Sequence, residues 1–104
     1  MITKRLPTGK REYENSINTA AEILKNGGVV AIPTETVYGL AASAYDDNAI
    51  KAVFSAKGRP QDNPLIVHIS NMEMLKNLSE DIPDSFYKCA QKFWPGPLTM
   101  VVKK

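Results

Sequence analysis

GVVAIPTETVYGL, from Gly28 to Leu40, is the stretch that decides the fold. Val29 to Ile32 is a short, unbroken apolar run, the pattern of a strand covered on both faces. Pro33 then fixes the backbone as Thr34, Glu35 and Thr36 leave the sheet, and Gly39 allows a close turn behind Tyr38. In open α/β sheets ligands gather beyond the carboxyl ends of strands, which places the hydroxyls of Thr34 and Thr36 where a small substrate's carboxylate or amine would sit. The same threonines equally suit a turn in which their hydroxyls satisfy nearby backbone groups.

Before this stretch, Tyr13, Ile17, Ala21 and Leu24 recur at helical spacing, and Asn26-Gly27-Gly28 supplies the glycines that end a helix. After it, Asp46 or Asp47 caps a second helix whose Ile50, Val53 and Phe54 face inward, with Gly58 and Pro60 as its stop. Leu65 to Ile69 reads as a second strand, and Ser70 with Glu73 as a capping box that opens a short helix through Met74, Leu75 and Leu78. Pro83 starts a further helix with Phe86, Ala90, Phe93 and Trp94 on one side, and Trp94-Pro95-Gly96-Pro97 ends it. Leu98 to Val102 reads as a third strand. Alternating helices and strands predict an α/β fold. The predicted sheet is thin, with an apolar face that wants partners, and its last strand runs directly into Lys103 and Lys104, so the chain reads as part of a larger domain.

A second phrase, KGRPQDNPLIVHI from Lys57 to Ile69, carries the charges. Lys57 and Arg59 flank Gly58 at the helix exit. Arginine offers a planar fork of donors and lysine a mobile point charge, so the pair suits a polyphosphate gripped from two directions. Cations at a helix C-terminus also complement the helix dipole, which is the plainer account of the same residues. Strand alternation puts His68 on the face of Ile66, where it is either a ligand for a carboxylate or hydroxyl or a satisfied structural histidine. Asn63-Pro64 sets the strand entry and leaves an amide available to a ligand, while Gln61 and Asp62 suit a solvated loop.

Composition bounds the possibilities. The 104 residues suffice for one core, and 43% hydrophobic with 23% charged residues is ordinary globular usage. A net charge of +2 gives no bulk case for nucleic acid, although Lys4-Arg5 and Lys10-Arg11 form local clusters. No segment approaches the ~18 apolar residues of a membrane span, and MITKRLPTGKRE has no apolar stretch to act as a signal peptide, so a cytoplasmic protein is expected. Cys89 has no partner for an internal disulfide, and its place in the last helix predicts a packed position. With one His and one Cys, and no usable spacing among Glu35, Asp46 and Asp47, no protein metal site is expected. Neither a GxxxxGK[ST] phosphate loop nor a GxGxxG fingerprint is present, and no Ser/His/Asp or Cys/His set stands out.

GVVAIPTETVYGL, KGRP with NPLIVHI, and FWPGPLT together resemble the successive signatures of the YrdC-like family, the threonylcarbamoyl-AMP synthases. The resemblance runs from Tyr13 to Val102 and makes residues 1–104 the N-terminal part of a single YrdC-like domain. It implies a twisted, mostly parallel or mixed α/β sheet with a positively charged hollow. It also implies an enzyme that condenses L-threonine, bicarbonate and ATP, with magnesium, into threonylcarbamoyl-adenylate and pyrophosphate, for threonylcarbamoyladenosine modification of tRNA. By position, Thr34 and His68 would hold threonine, Lys57 and Arg59 would hold ATP phosphates as the catalytic pair, and Gln61 and Asn63 would lie near the nucleotide. Family domains are longer, and the part that would follow Val102 includes a Ser and an Asn that complete the basic pair. The 104 residues alone are therefore expected to bind ATP poorly and not to turn over, unless a homodimer supplies strands.

Two other readings share the motifs. One is an RNA-binding module for double-stranded RNA or tRNA without its own catalysis, whose binding would weaken steeply with salt. The other is a carbamoyl-transfer domain like those of hydrogenase-maturation carbamoyltransferases, whose acylphosphatase-like and zinc-finger regions have no counterpart in this sequence.

Overall fold

The computed structural model describes residues 3–58 and 65–103. They belong to two compact units, Met1–Pro64 and Leu65–Lys104.

In the first unit, helix α1 (Tyr13–Lys25) leads into strand β1 (Val30–Ile32), strand β2 (Gly39–Ala41) and helix α2 (Asp47–Lys57). The apolar periodicity does build α1, but Tyr13 and Ile17 remain 54% and 51% exposed and none of its residues is buried. Its end is sharply specified. Gly28 N–H donates to the Ile23 carbonyl at 2.8 Å and Gly27 N–H to the Leu24 carbonyl at 3.2 Å, the two bonds of a Schellman ending. The left-handed turn this requires falls on Gly27, at φ 85°. A β-carbon on Gly28 would meet the Ile23 methyl at 2.5 Å and the Ile23 carbonyl oxygen at 2.9 Å, so the chain can double back towards β1 only with hydrogen there.

β1 and β2 pair antiparallel, with Val30 opposite Ala41, Ala31 opposite Leu40 and Ile32 opposite Gly39. α1 packs on β1. Gly39, expected in a turn, is instead the first residue of β2, so the turn lies within residues 33–38. Asp46 is the cap of α2, its carboxylate accepting the Ala49 N–H at 3.0 Å. Ala49, Val53 and Phe54 are the buried residues of α2, whereas Ile50 is only partly covered. Gly58, at φ 64°, ends the helix in the left-handed region; the expected stop at Pro60 lies outside the described residues.

The second unit contains a 3-10 helix (Met72–Asn77) and helix α3 (Asp84–Phe93). Leu75, Phe86 and Ala90 form its buried centre, with Ile69, Ile82, Trp94, Met100 and Val102 packed around them. The Phe86 ring meets Trp94 edge-on at 5.6 Å and Tyr87 at 5.8 Å. The Trp94 indole N–H donates to the Leu98 carbonyl at 2.9 Å, and the buried Ser79 hydroxyl donates to the Lys103 carbonyl.

Several expectations are corrected here. Leu65–Ile69 and Leu98–Val102 form no ladder among the described residues, because an apolar run becomes a strand only beside a neighbour that takes its N–H and C=O groups. The cap of the 3-10 helix is Asn71, whose side chain accepts the Met74 N–H at 3.1 Å; this leaves Glu73 one place too early for the expected box with Ser70. Cys89 is exposed, since it lies about 100° around α3 from Ala90. Phe93 is 54% exposed because it closes the helix while Trp94 turns onto the core in its place. Among the described residues no helix is long and apolar enough to cross a membrane. The fold is α/β: the described residues form helices and a small two-stranded antiparallel sheet.

Candidate functional site

Residues 33–38 connect β1 to β2, and one side chain organises them. The Thr34 hydroxyl accepts the Thr36 N–H at 3.3 Å and the Val37 N–H at 3.2 Å, and donates to the Val37 carbonyl. Thr34 thereby replaces the backbone bonds that a tighter hairpin turn would make. Its methyl group lies on the other side, 3.4 Å from where a β-carbon of Gly39 would be. The loop is open to solvent, with Val37 72% and Tyr38 79% exposed.

Lys57 is exposed in the last turn of α2, immediately before the left-handed Gly58. This is where a cation complements the helix dipole, and where an ammonium can also reach an anion. Among the described residues the ion pairs join Lys25 to Glu22 at 3.8 Å and Lys76 to Glu73 at 3.5 Å, so Lys57 carries its charge in neither. His68 is exposed and precedes Ile69, which packs on the second unit's core. Arg59, Gln61 and Asn63 lie outside the described residues.

Thr34 and Lys57 thus belong to the first unit and His68 to the second. Thr34 is brought together with Thr36, Val37 and Gly39. The sequence reading allows the threonine hydroxyls to satisfy nearby backbone groups but does not name Val37 as the partner of Thr34, which the three-residue spacing of a hydroxyl-closed turn signals. Among the described residues no group of three His, Cys, Asp or Glu side chains converges on a metal position.

Comparison with known proteins places these features in a family. A Sua5/YciO/YrdC family model, described as "Telomere recombination", matches residues 22–104. The chain is 53% identical over 95 residues to the threonylcarbamoyl-AMP synthase of Pyrococcus abyssi, covering 91% of this chain and 28% of that protein. It is 48% identical over 101 residues to the threonylcarbamoyl-AMP synthase of Bacillus subtilis, covering 97% of this chain and 28% of that protein. Among solved structures, P. abyssi Sua5 complexed with L-threonine superposes with a TM-score of 0.78 at 52% identity, over 84% of this chain and 26% of that one. The chain spans about a quarter of the length of these relatives.

Proposed function

This chain belongs to the Sua5/YciO/YrdC family, and we propose that it serves the synthesis of threonylcarbamoyl-adenylate from L-threonine, bicarbonate and ATP. The observation that carries this reading is its likeness, at 52% identity and a TM-score of 0.78, to a solved relative complexed with L-threonine. The names of the P. abyssi and B. subtilis relatives point to the same reaction.

In this reading the loop headed by Thr34 and the imidazole of His68 hold threonine, and Lys57 and Arg59 hold the phosphates of ATP with Gln61 and Asn63 nearby. The threonine amine attacks the carbon of bicarbonate and water leaves, giving a carbamate. A carbamate oxygen then attacks the α-phosphorus, the bond to the β-phosphate oxygen breaks, and pyrophosphate departs. Two anions must meet in that step. Lys57 and Arg59 offset their repulsion and stabilise the charge that builds on the leaving group. Magnesium, if carried in with the nucleotide, would add positive charge beside Lys57 and Arg59 at the phosphates, a role that needs no cage of protein carboxylates. The adenylate is a reactive mixed anhydride, suited to acylating the adenosine amine of a tRNA.

The test is isotopic. Native-length protein incubated with L-threonine, ATP and 13C-bicarbonate should yield an adenylate carrying one 13C atom and one threonine. An adenylate without the label, or none, would refute the proposal.

A further inference from the structure

We infer that Thr34 is a positioning residue for threonine binding: its hydroxyl shapes the 33–38 loop and does not itself touch the substrate. The inference rests on the synthase reading and assigns one residue of its site a different manner of action.

A hydroxyl has one proton to donate and two lone pairs to accept with. At Thr34 all three are engaged within the loop, by the Val37 carbonyl, the Thr36 N–H and the Val37 N–H. A substrate carboxylate or amine could reach this oxygen only by displacing bonds that define the loop's path. Rotation does not relieve the conflict, because threonine is stiff at its first side-chain torsion and its methyl group rests over Gly39, 3.4 Å from the β-carbon position. Among the described residues the loop has little else to hold it. Residues 33–38 are all exposed, and the flanking strands contribute only the three pairs Val30–Ala41, Ala31–Leu40 and Ile32–Gly39. The Thr34 hydroxyl therefore sets the backbone of residues 35–37 before any ligand arrives, and threonine binds to a loop already shaped.

The test compares Thr34→Val, which keeps the shape and removes the hydroxyl, with Thr34→Ser, which keeps the hydroxyl, both in the native-length protein. Amide exchange is read first, without ligands. Thr34→Val should speed exchange of the Thr36 and Val37 amides by about tenfold, since each loses its acceptor, and Thr34→Ser should leave them near wild type. Titration should then show L-threonine affinity falling about tenfold in Thr34→Val and recovering in Thr34→Ser, with ATP affinity changed less than about twofold. Unchanged exchange with weakened threonine binding would make the hydroxyl a direct ligand and overturn the inference. Faster exchange with unchanged threonine affinity would overturn it from the other side. Wild-type protein that ignores L-threonine would overturn both this inference and the synthase reading, and the titration alone would reveal that case.

Discussion

Gly27 and Asp46 meet at a point where only a hydrogen atom fits: a β-carbon on Gly27 would stand 2.9 Å from Asp46 Oδ2. The same carboxylate caps α2 through Oδ1 and the Ala49 N–H, while Gly27 supplies the left-handed turn that ends α1. One contact therefore couples the end of the first helix to the start of the second. Along the chain α1 precedes and α2 follows the hairpin that carries Thr34.

Replacement of Gly27 by Ala should cost about 1–2 kcal/mol of stability, from the left-handed backbone together with the crowding against Asp46. Gly58→Ala serves as the comparison, because Gly58 also has a positive φ but, among the described residues, has nothing within 4 Å of its β-carbon position. It should cost about 1 kcal/mol. Urea denaturation of the two variants side by side checks the difference, and equal losses would show that the Asp46 contact is slack.

Asp46→Ala removes the cap of α2 and should cost about 1 kcal/mol. Combined with Gly27→Ala, the total loss should be smaller than the sum of the single losses, since removing the carboxylate also removes the atom that crowds the new methyl group. A double-mutant cycle in the same denaturation measurement reads this coupling directly.

In the second unit, Phe86→Ala should destabilise by about 3–5 kcal/mol, because Phe86 is 6% exposed and lies between Leu75, Ala90 and the edges of Tyr87 and Trp94. Trp94 emission reports the loss locally: its maximum should shift to longer wavelength in the variant under native conditions. Cys89→Ser, on the exposed side of the same helix, should change stability by less than about 0.5 kcal/mol.

The helices were legible because each carries its own punctuation. Asn26-Gly27-Gly28, Asp46 and Pro83 act through bonds within a few residues of themselves, and the helix bounds fall beside them. Strands depend on distant partners. Leu65–Ile69 and Leu98–Val102 have strand composition, yet they form no ladder among the described residues. Gly39–Ala41 pairs with β1 although a glycine opens it, because the turn closed by Thr34 returns the chain alongside Val30–Ile32. In the candidate site, the exposed place of Lys57 at the helix exit followed from Gly58, and a hydroxyl-closed turn was one of the two readings open to Thr34; that its hydroxyl meets the Thr36 and Val37 backbone groups in particular depends on the path of the loop.

The 104 residues by themselves should bind L-threonine weakly and release no pyrophosphate above background. Ile66, Val67 and Val101 are 64%, 50% and 98% exposed, so apolar surface that a covered sheet would bury remains open to water. Calorimetric titration and a pyrophosphate assay on this chain, beside the native-length protein, check both statements.

Lys57 and Arg59 are proposed to stabilise pyrophosphate departure in a reaction that consumes threonine, bicarbonate and ATP together. The most direct measurement is the initial rate of pyrophosphate release by native-length protein, with each substrate omitted in turn and with Lys57→Ala and Arg59→Ala compared. Release should require all three substrates and fall on the order of 100-fold in either variant. Release that persists without threonine or bicarbonate, or that survives both substitutions near the wild-type rate, would contradict this proposal.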